Sequence, residues 1–343
     1  MPDKPPRLLL LVAVCASMSL ACVAAGARQT SSDAIRYLAR AIRASPVVCL
    51  AEGGHGSQTA HDFLKALLLD KDVQDAVDVI IVEFVTARYQ ARLDDYMNGK
   101  DVPPDELSKL WRDTTVSSLV QTWDSPLYHE FLQHLRAVNR SLAPGRTIRV
   151  MGGDPPIKWE EVRSQEDHRV FFRQRRSFPA GLAVQQALTH GKRVLIIFGG
   201  AHLAKVPGNV GGRIDKGLVN LIQERIPDGV RAYSFLIPKE LDAEGRMGEL
   251  ERGKMYDTRH HWSGDLPAGL LFPMLFLPDG TRAEPYKGHK VKDLYDGLIY
   301  VGPLTEWVTA SPAVYQDDEY WKELNRRSRV TRKQPMDEEL RRK

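Results

Sequence analysis

The sequence predicts an α/β protein: a mainly parallel sheet with helices on both faces. Three observations point there. The runs Val47–Leu50, Val79–Val82 and Val194–Phe198 are apolar without alternation, the pattern of strands covered on both faces. Stretches with helical apolar spacing separate them, as parallel strands need crossover connections. The first and last of these runs then stop at glycine-rich turns, and the second ends at a charged residue, Glu83.

Ser31 and Ser32 open a helix whose apolar positions, Ile35, Leu38, Ala39 and Ile42, share one face. Pro46 closes it, and Val47–Leu50 is the first strand. Glu52-Gly53-Gly54-His55-Gly56 follows, then a helix with Phe63, Leu64, Leu67 and Leu68. Val79–Val82 is the second strand and ends at Glu83. Tyr89, Leu93 and Tyr96 mark a helix that Gly99 stops. Pro103-Pro104 begins a short one with Leu107, Leu110 and Trp111. Ser125-Pro126 is an N-cap followed by proline at the first helical position, ahead of Tyr128, Phe131, Leu132 and Leu135. Ile148–Met151 is a third strand, closing on Gly152-Gly153-Asp154-Pro155-Pro156. Val194–Phe198 is a fourth, closing on Gly199-Gly200-Ala201-His202. A helix with Leu218, Leu221 and Ile222 and a strand around Ala232–Ile237 continue the alternation. Residues 239–268 lack periodicity and form an irregular insert or lid. Leu270–Leu277 and Leu298–Val301 add strands near the end.

With 343 residues, 43% hydrophobic and 27% charged, the chain has a globular balance. The net charge of +4 is small, and much of it sits in a C-terminal tail, 326–343, with Arg326, Arg327, Arg329, Arg332, Lys333, Arg341, Arg342 and Lys343. Such a tail is expected to be solvated, and no nucleic-acid partner follows from it. Residues 1–27 have the form of an export signal: Lys4 and Arg7, an apolar run from Leu8 to Val14, and small Ala25 and Ala27 for a peptidase. Cleavage there leaves 28–325 as a single α/β hydrolase-like domain, periplasmic or extracellular. Ser19-Leu20-Ala21-Cys22 resembles a lipobox with serine in the usual leucine's place, so a membrane contact is expected only through a lipid on Cys22. Of Cys15, Cys22 and Cys49, only Cys49 survives cleavage after Ala27, and its apolar neighbours make it a core residue rather than a nucleophile.

Ligands of open parallel sheets bind beyond the carboxyl ends of the strands. The ends here present Glu52 and His55, Glu83, Asp154, and His202. A histidine on a glycine turn with a carboxylate three residues before it suits general-base work. Glu83 ends an apolar strand, where a charge needs a partner, and Arg88 is the candidate. Asp154 is a further pocket candidate or a turn residue. There is no G-x-S-x-G elbow, phosphate loop or dinucleotide fingerprint. His129 and His134 are spaced i, i+5, one residue too many for zinc on one helix face.

Together these residues resemble the erythromycin esterase-like group and its distant relatives, the Tiki/TraB and ChaN-like haem-uptake proteins. The esterases carry G-E-x-x-H-G after the first strand, and here Ala51-Glu52-Gly53-Gly54-His55-Gly56 departs only at Ala51. In the Tiki/TraB branch a strand ends in glutamate with arginine five residues on, as in Glu83 and Arg88. That branch also has a late G-x-x-H, as in Gly199-Gly200-Ala201-His202. The likeness spans residues 45–305 and rests on short motifs in the right order. It implies an exported hydrolase acting on an ester, lactone or amide carbonyl of a small molecule or peptide. In the esterase branch no cofactor is required: His55 activates water, Glu52 orients it, His202 stabilises the oxyanion or protonates the leaving group, and Glu83 and Arg88 hold the site. In the Tiki/TraB branch His55, His202, Glu52 and Glu83 would hold a divalent metal for peptide hydrolysis. The ChaN-like branch implies haem or metal binding without catalysis.

Overall fold

The computed structural model describes residues 32–119, 122–210, 212–236, 245–271, 275–276, 282–304 and 306–342. The export signal expected in residues 1–27, with Cys22 and the expected cleavage point before Arg28, lies outside them.

Helix α1 (Asp33–Ala44) buries Ile35, Leu38, Ala39 and Ile42, the stripe its spacing predicts, and leads into strand β1 (Val47–Ala51). Helix α2 (Gln58–Leu69) starts on Ser57, whose side chain accepts from Ala60 N–H, and α3 (Lys71–Ala76) continues to β2 (Val79–Thr86). Helices α4 (Gln90–Met97), α5 (Pro104–Arg112) and α6 (Pro126–Ser141) lead to β3 (Arg149–Asp154). Ser125 caps α6 by accepting from Leu127 N–H, with Pro126 in the first turn. Helices α7 (Gln165–Phe172) and α8 (Ser177–Val184) precede β4 (Val194–Phe198). The chain closes with α9 (Leu218–Gln223), β5 (Val230–Phe235), β6 (Lys254–Asp257), α10 (Val291–Leu294), β7 (Gly297–Tyr300) and α11 (Asp318–Arg332).

These seven strands form one sheet in the order β3-β2-β4-β1-β5-β7-β6. Every pairing is parallel except that of β7 with β6. All residues of β1, β2 and β4 are buried. Successive strand side chains point to opposite faces, so both faces of the sheet are covered. Leu38, Ile42, Leu50, Leu64 and Phe198 are among the largest fully buried side chains. Each such leucine contributes about 1.5–3 kcal/mol by leaving water. Cys49 is a free, fully buried thiol whose pKa burial pushes up, the state of a core residue.

The structure corrects three sequence expectations. The second strand does not end at Glu83 but runs on to Thr86 through an irregularity: pairing resumes at Thr86↔Asp154 after Val82↔Gly152, so Glu83, Phe84 and Val85 oppose Gly153 alone. A Cβ on Gly153 would lie 2.5 Å from the Phe198 ring, so β3 comes this close because that residue is glycine. The insert expected at 239–268 contains β6, an antiparallel edge strand with Met255 and Tyr256 buried, so only part of it is irregular. The solvated tail expected at 326–343 begins inside α11, and Arg327 there is 4% exposed. It bonds Asp113, Glu323, the Arg112 carbonyl and Ser117, which anchors the helix to the body of the molecule. Among the described residues no helix is long and apolar enough to cross a membrane.

Candidate functional site

β3, β2, β4 and β1 are neighbours, so residues at their carboxyl ends meet. The loop after β1 supplies the first half of the site. Glu52 N–H donates to Phe198 O at 2.9 Å, carrying the β1–β4 ladder one step past the strand. The chain then turns through Gly53 and Gly54 at φ +81° and +100°, which sets His55 over the strand end. His55 Nδ1 lies 3.0 Å from Glu52 Oε1. Tyr128, from α6, donates its hydroxyl to the same Oε1 at 2.5 Å and accepts from Gly56 N–H at 3.2 Å. Glu52 is thus clamped between a phenol and an imidazole, with its side chain only 3% exposed. Trp123 packs edge-on against the His55 ring at 4.6 Å between centroids.

The second half gathers around Glu83. Its Oε2 accepts from Gly199 N–H at 2.6 Å. Its Oε1 accepts from Arg175 Nη2 at 2.5 Å and lies 3.3 Å from His202 Nε2. Arg175 also reaches toward Asp154, Nε to Oδ1 at 3.7 Å. Asp154 is fixed from behind by Thr115, whose N–H and hydroxyl donate at 2.8 and 2.6 Å. Arg176 Nε donates to His202 Nδ1 at 3.4 Å, so both ring nitrogens of His202 are engaged.

Gly199 joins the two halves. A Cβ there would sit 3.2 Å from Glu83 Oε2, 3.2 Å from His55 Cε1 and 3.4 Å from His55 Nε2. Any side chain at that position would crowd the histidine and the glutamate together. His55 therefore turns Nδ1 toward Glu52 and Nε2 toward Gly199 and Glu83. It is also the most open member, with 37% of its side chain accessible against 2% for Glu83.

Electrostatics follow the geometry. Burial alone would lower the His55 pKa. The Glu52 charge and hydrogen bond, with the Glu83 charge, outweigh burial and Arg175 and lift it to about 9. Burial would raise Glu83, but His202, Arg175 and His55 together hold it well below the usual carboxylate range. At Asp154 burial dominates over Arg175 and Thr115 and pushes the carboxyl up to about 7.

Glu52, His55, Glu83 and His202, expected from sequence, come together, and Asp154 joins them through Arg175. Arg88 does not. Because β2 continues past Glu83, the turn at Ala87–Tyr89 carries Arg88 away, and its guanidinium binds Glu160 at 2.5 and 2.6 Å. Arg175 takes the expected place beside Glu83. Nothing in Arg173-Gln174-Arg175-Arg176 distinguishes it from Arg173, which lies on the surface with Glu166. Tyr128 was legible only as an apolar helix residue and Trp123 not at all, because their partners lie far off in the chain.

A divalent ion needs carboxylate oxygens and imidazole nitrogens with open lone pairs. Here the Glu83 oxygens face a guanidinium, an imidazole and an N–H, and Glu52 Oε1 faces a phenol and His55. The donors expected for a metal do not fit one, since a second cation would have to displace Arg175. Among the described residues no group of three or more His, Cys, Asp or Glu is arranged to hold a metal ion.

No family model matches the sequence, and neither does any curated protein. Solved structures do match. A succinoglycan biosynthesis protein aligns with TM-score 0.55 and 9% identity, over 81% of this chain and 92% of its own. A Bacillus cereus protein aligns with TM-score 0.53 and 10% identity, over 81% and 93%. A mutant erythromycin esterase in its open conformation aligns with TM-score 0.51 and 12% identity, over 80% and 97%. The chain has the erythromycin esterase fold. At these identities the likeness fixes the fold alone, and it spans nearly the whole of the esterase. Within this erythromycin esterase fold the Glu52–His55 and Glu83–Arg175–His202 groups occupy the sheet edge where parallel α/β proteins bind ligands.

Proposed function

We propose that this protein hydrolyses an ester, lactone or amide carbonyl with water as the direct nucleophile and His55 as the general base. The observation that carries the reading is the His55 pair: Nδ1 held by a buried Glu52 that Tyr128 locks in place, on a ring that is 37% exposed and leaves Nε2 beside Gly199. That arrangement fixes the ring and favours the imidazolium formed when a proton arrives. The neutral ring takes a proton from water at Nε2 while the water oxygen bonds to the carbonyl carbon. The tetrahedral oxyanion then collapses, the bond to the leaving oxygen or nitrogen breaks, and that atom takes the proton back from His55. With both nitrogens of His202 engaged, the oxyanion-stabilising role its sequence position suggested passes to Arg175, the cation beside Glu83. Glu83 anchors Arg175, His202 and the Gly199 turn. No step runs through a metal. The form of residues 1–27 supports action outside the cytoplasm, and N-terminal sequencing of protein from its host tests that, with Arg28 or lipid-modified Cys22 expected.

The test is turnover on a panel of aryl esters, lactones and anilides with chelator present. Wild type is expected to cleave at least one class. His55→Ala is expected to lose about 10²–10⁴ in rate with its circular dichroism unchanged, the usual cost of removing a general base. Cys49→Ala should keep its rate. Near wild-type turnover in a folded His55→Ala, or abolition by chelator, overturns the reading.

A further inference from the structure

Trp307 is a large apolar side chain left 55% exposed. Its surroundings give that exposure a purpose. Residues 306–308 zip onto the loop that carries His55: Gln58 N–H donates to Glu306 O at 3.0 Å, and Val308 N–H donates to Gly56 O at 2.8 Å. Ser57 and Trp307 form an isolated antiparallel bridge. The six-membered end of the indole rests on Gly54, the residue before His55. A Cβ at Gly54 would lie 2.9 Å from Trp307 Cη2 and 3.1 Å from Cζ3. The absent side chain is what lets the indole lie there, and φ +100° also suits glycine. The loop is thus held from one side by main-chain bonds while an indole stays uncovered against Gly54, the residue that precedes the most open member of the site. Burying the rest of that ring is favourable, and a flat group sets the best geometry for doing so.

We infer that Trp307 is a specificity-determining residue: a platform on which a substrate with a flat apolar ring beside its scissile carbonyl lies as it meets His55. This rests on the hydrolase reading for its chemistry but not for its binding. It favours esters or lactones bearing a ring next to the carbonyl or on the leaving group, over small acyl esters. The rival role, a brace for the Gly54 turn, would affect every substrate alike.

Two measurements separate these. In the first, KM and kcat are compared for 2-naphthyl acetate and methyl 2-naphthoate against ethyl acetate, in wild type, Trp307→Ala and Trp307→Phe. The platform predicts KM for a naphthyl ester rising about tenfold in Trp307→Ala, kcat within about twofold, ethyl acetate unchanged, and phenylalanine restoring most of the loss. A fall in kcat common to all three esters means a brace and overturns the inference. In the second, the non-hydrolysable methyl 2-naphthyl ketone is titrated calorimetrically into His55→Ala and into the His55→Ala/Trp307→Ala double variant. Binding about tenfold weaker in the double variant supports the platform even if wild type cleaves none of the esters, a result that would sink the hydrolase reading alone. Equal binding in the two, or none in either, overturns the platform.

Discussion

At Asp154 the carboxyl is 2% exposed, and its pKa is lifted from 3.8 to about 7 by burial, with Arg175 and Thr115 opposing. A folded value above the unfolded one means that ionisation is harder in the folded state. The stability linked to this group is therefore fully present below about 4 and is lost as pH rises through about 7. Asp154→Asn keeps the shape and can still accept from Thr115 N–H. The expected outcome is that the stability of wild type falls relative to the variant across that window, in urea unfolding at a series of pH values. Parallel curves from pH 4 to pH 8 would show that Asp154 carries no such linkage. The residue itself was legible as a candidate at a strand end, but its role was not. Thr115 and Arg175, which decide its environment, lie 39 and 21 positions away in sequences without distinguishing pattern. Arg88 failed for a related reason: five residues of spacing place it correctly only if the strand stops at Glu83, and an irregularity in the β2–β3 register carries the strand onward.

Among the elements, those buried on both faces were the readable ones. Val47–Leu50, Val79–Val82 and Val194–Phe198 declare themselves because nothing polar is tolerated on either side until the site is reached. Lys254–Asp257 is an edge strand of four residues, too short for a periodic signal. Helix α11 was hidden by its charge. Its arginines look solvated, yet Arg326 donates to the Trp159 and Val162 carbonyls, and Arg327 is buried against Asp113 and Glu323. Tyr320 of the same helix donates to Asp124 at 2.9 Å, next to the Trp123 that packs on His55. Removing the Arg327 guanidinium leaves Asp113 without its buried partner, a change that typically costs about 3–5 kcal/mol. Arg327→Ala should lower the urea midpoint accordingly, and Arg327→Lys should recover only part because it loses the fork of donors. An Arg327→Ala midpoint equal to that of wild type would show the helix to be as peripheral as its composition suggests.

For the molecule as a whole, the sheet order brings four strand ends side by side, and the chemistry follows from what those ends carry. A strongly ionised Glu83 beside Arg175 makes a fixed charge pair, and a clamped Glu52 makes His55 an unusually strong base. With the His55 pKa near 9, most of the protein is protonated there at neutral pH, and the basic form grows about tenfold per pH unit up to that point. The central claim is that this neutral imidazole removes the proton from water. The most direct measurement is the pH dependence of kcat/KM on a cleaved ester, for wild type and Glu52→Gln. A rising limb with a midpoint near 9 is expected in wild type, and a lower midpoint in Glu52→Gln, where the charge that lifts the imidazole is gone. A profile that falls through 9, or one whose midpoint ignores Glu52→Gln, would contradict that claim and make His55 an acid or a bystander.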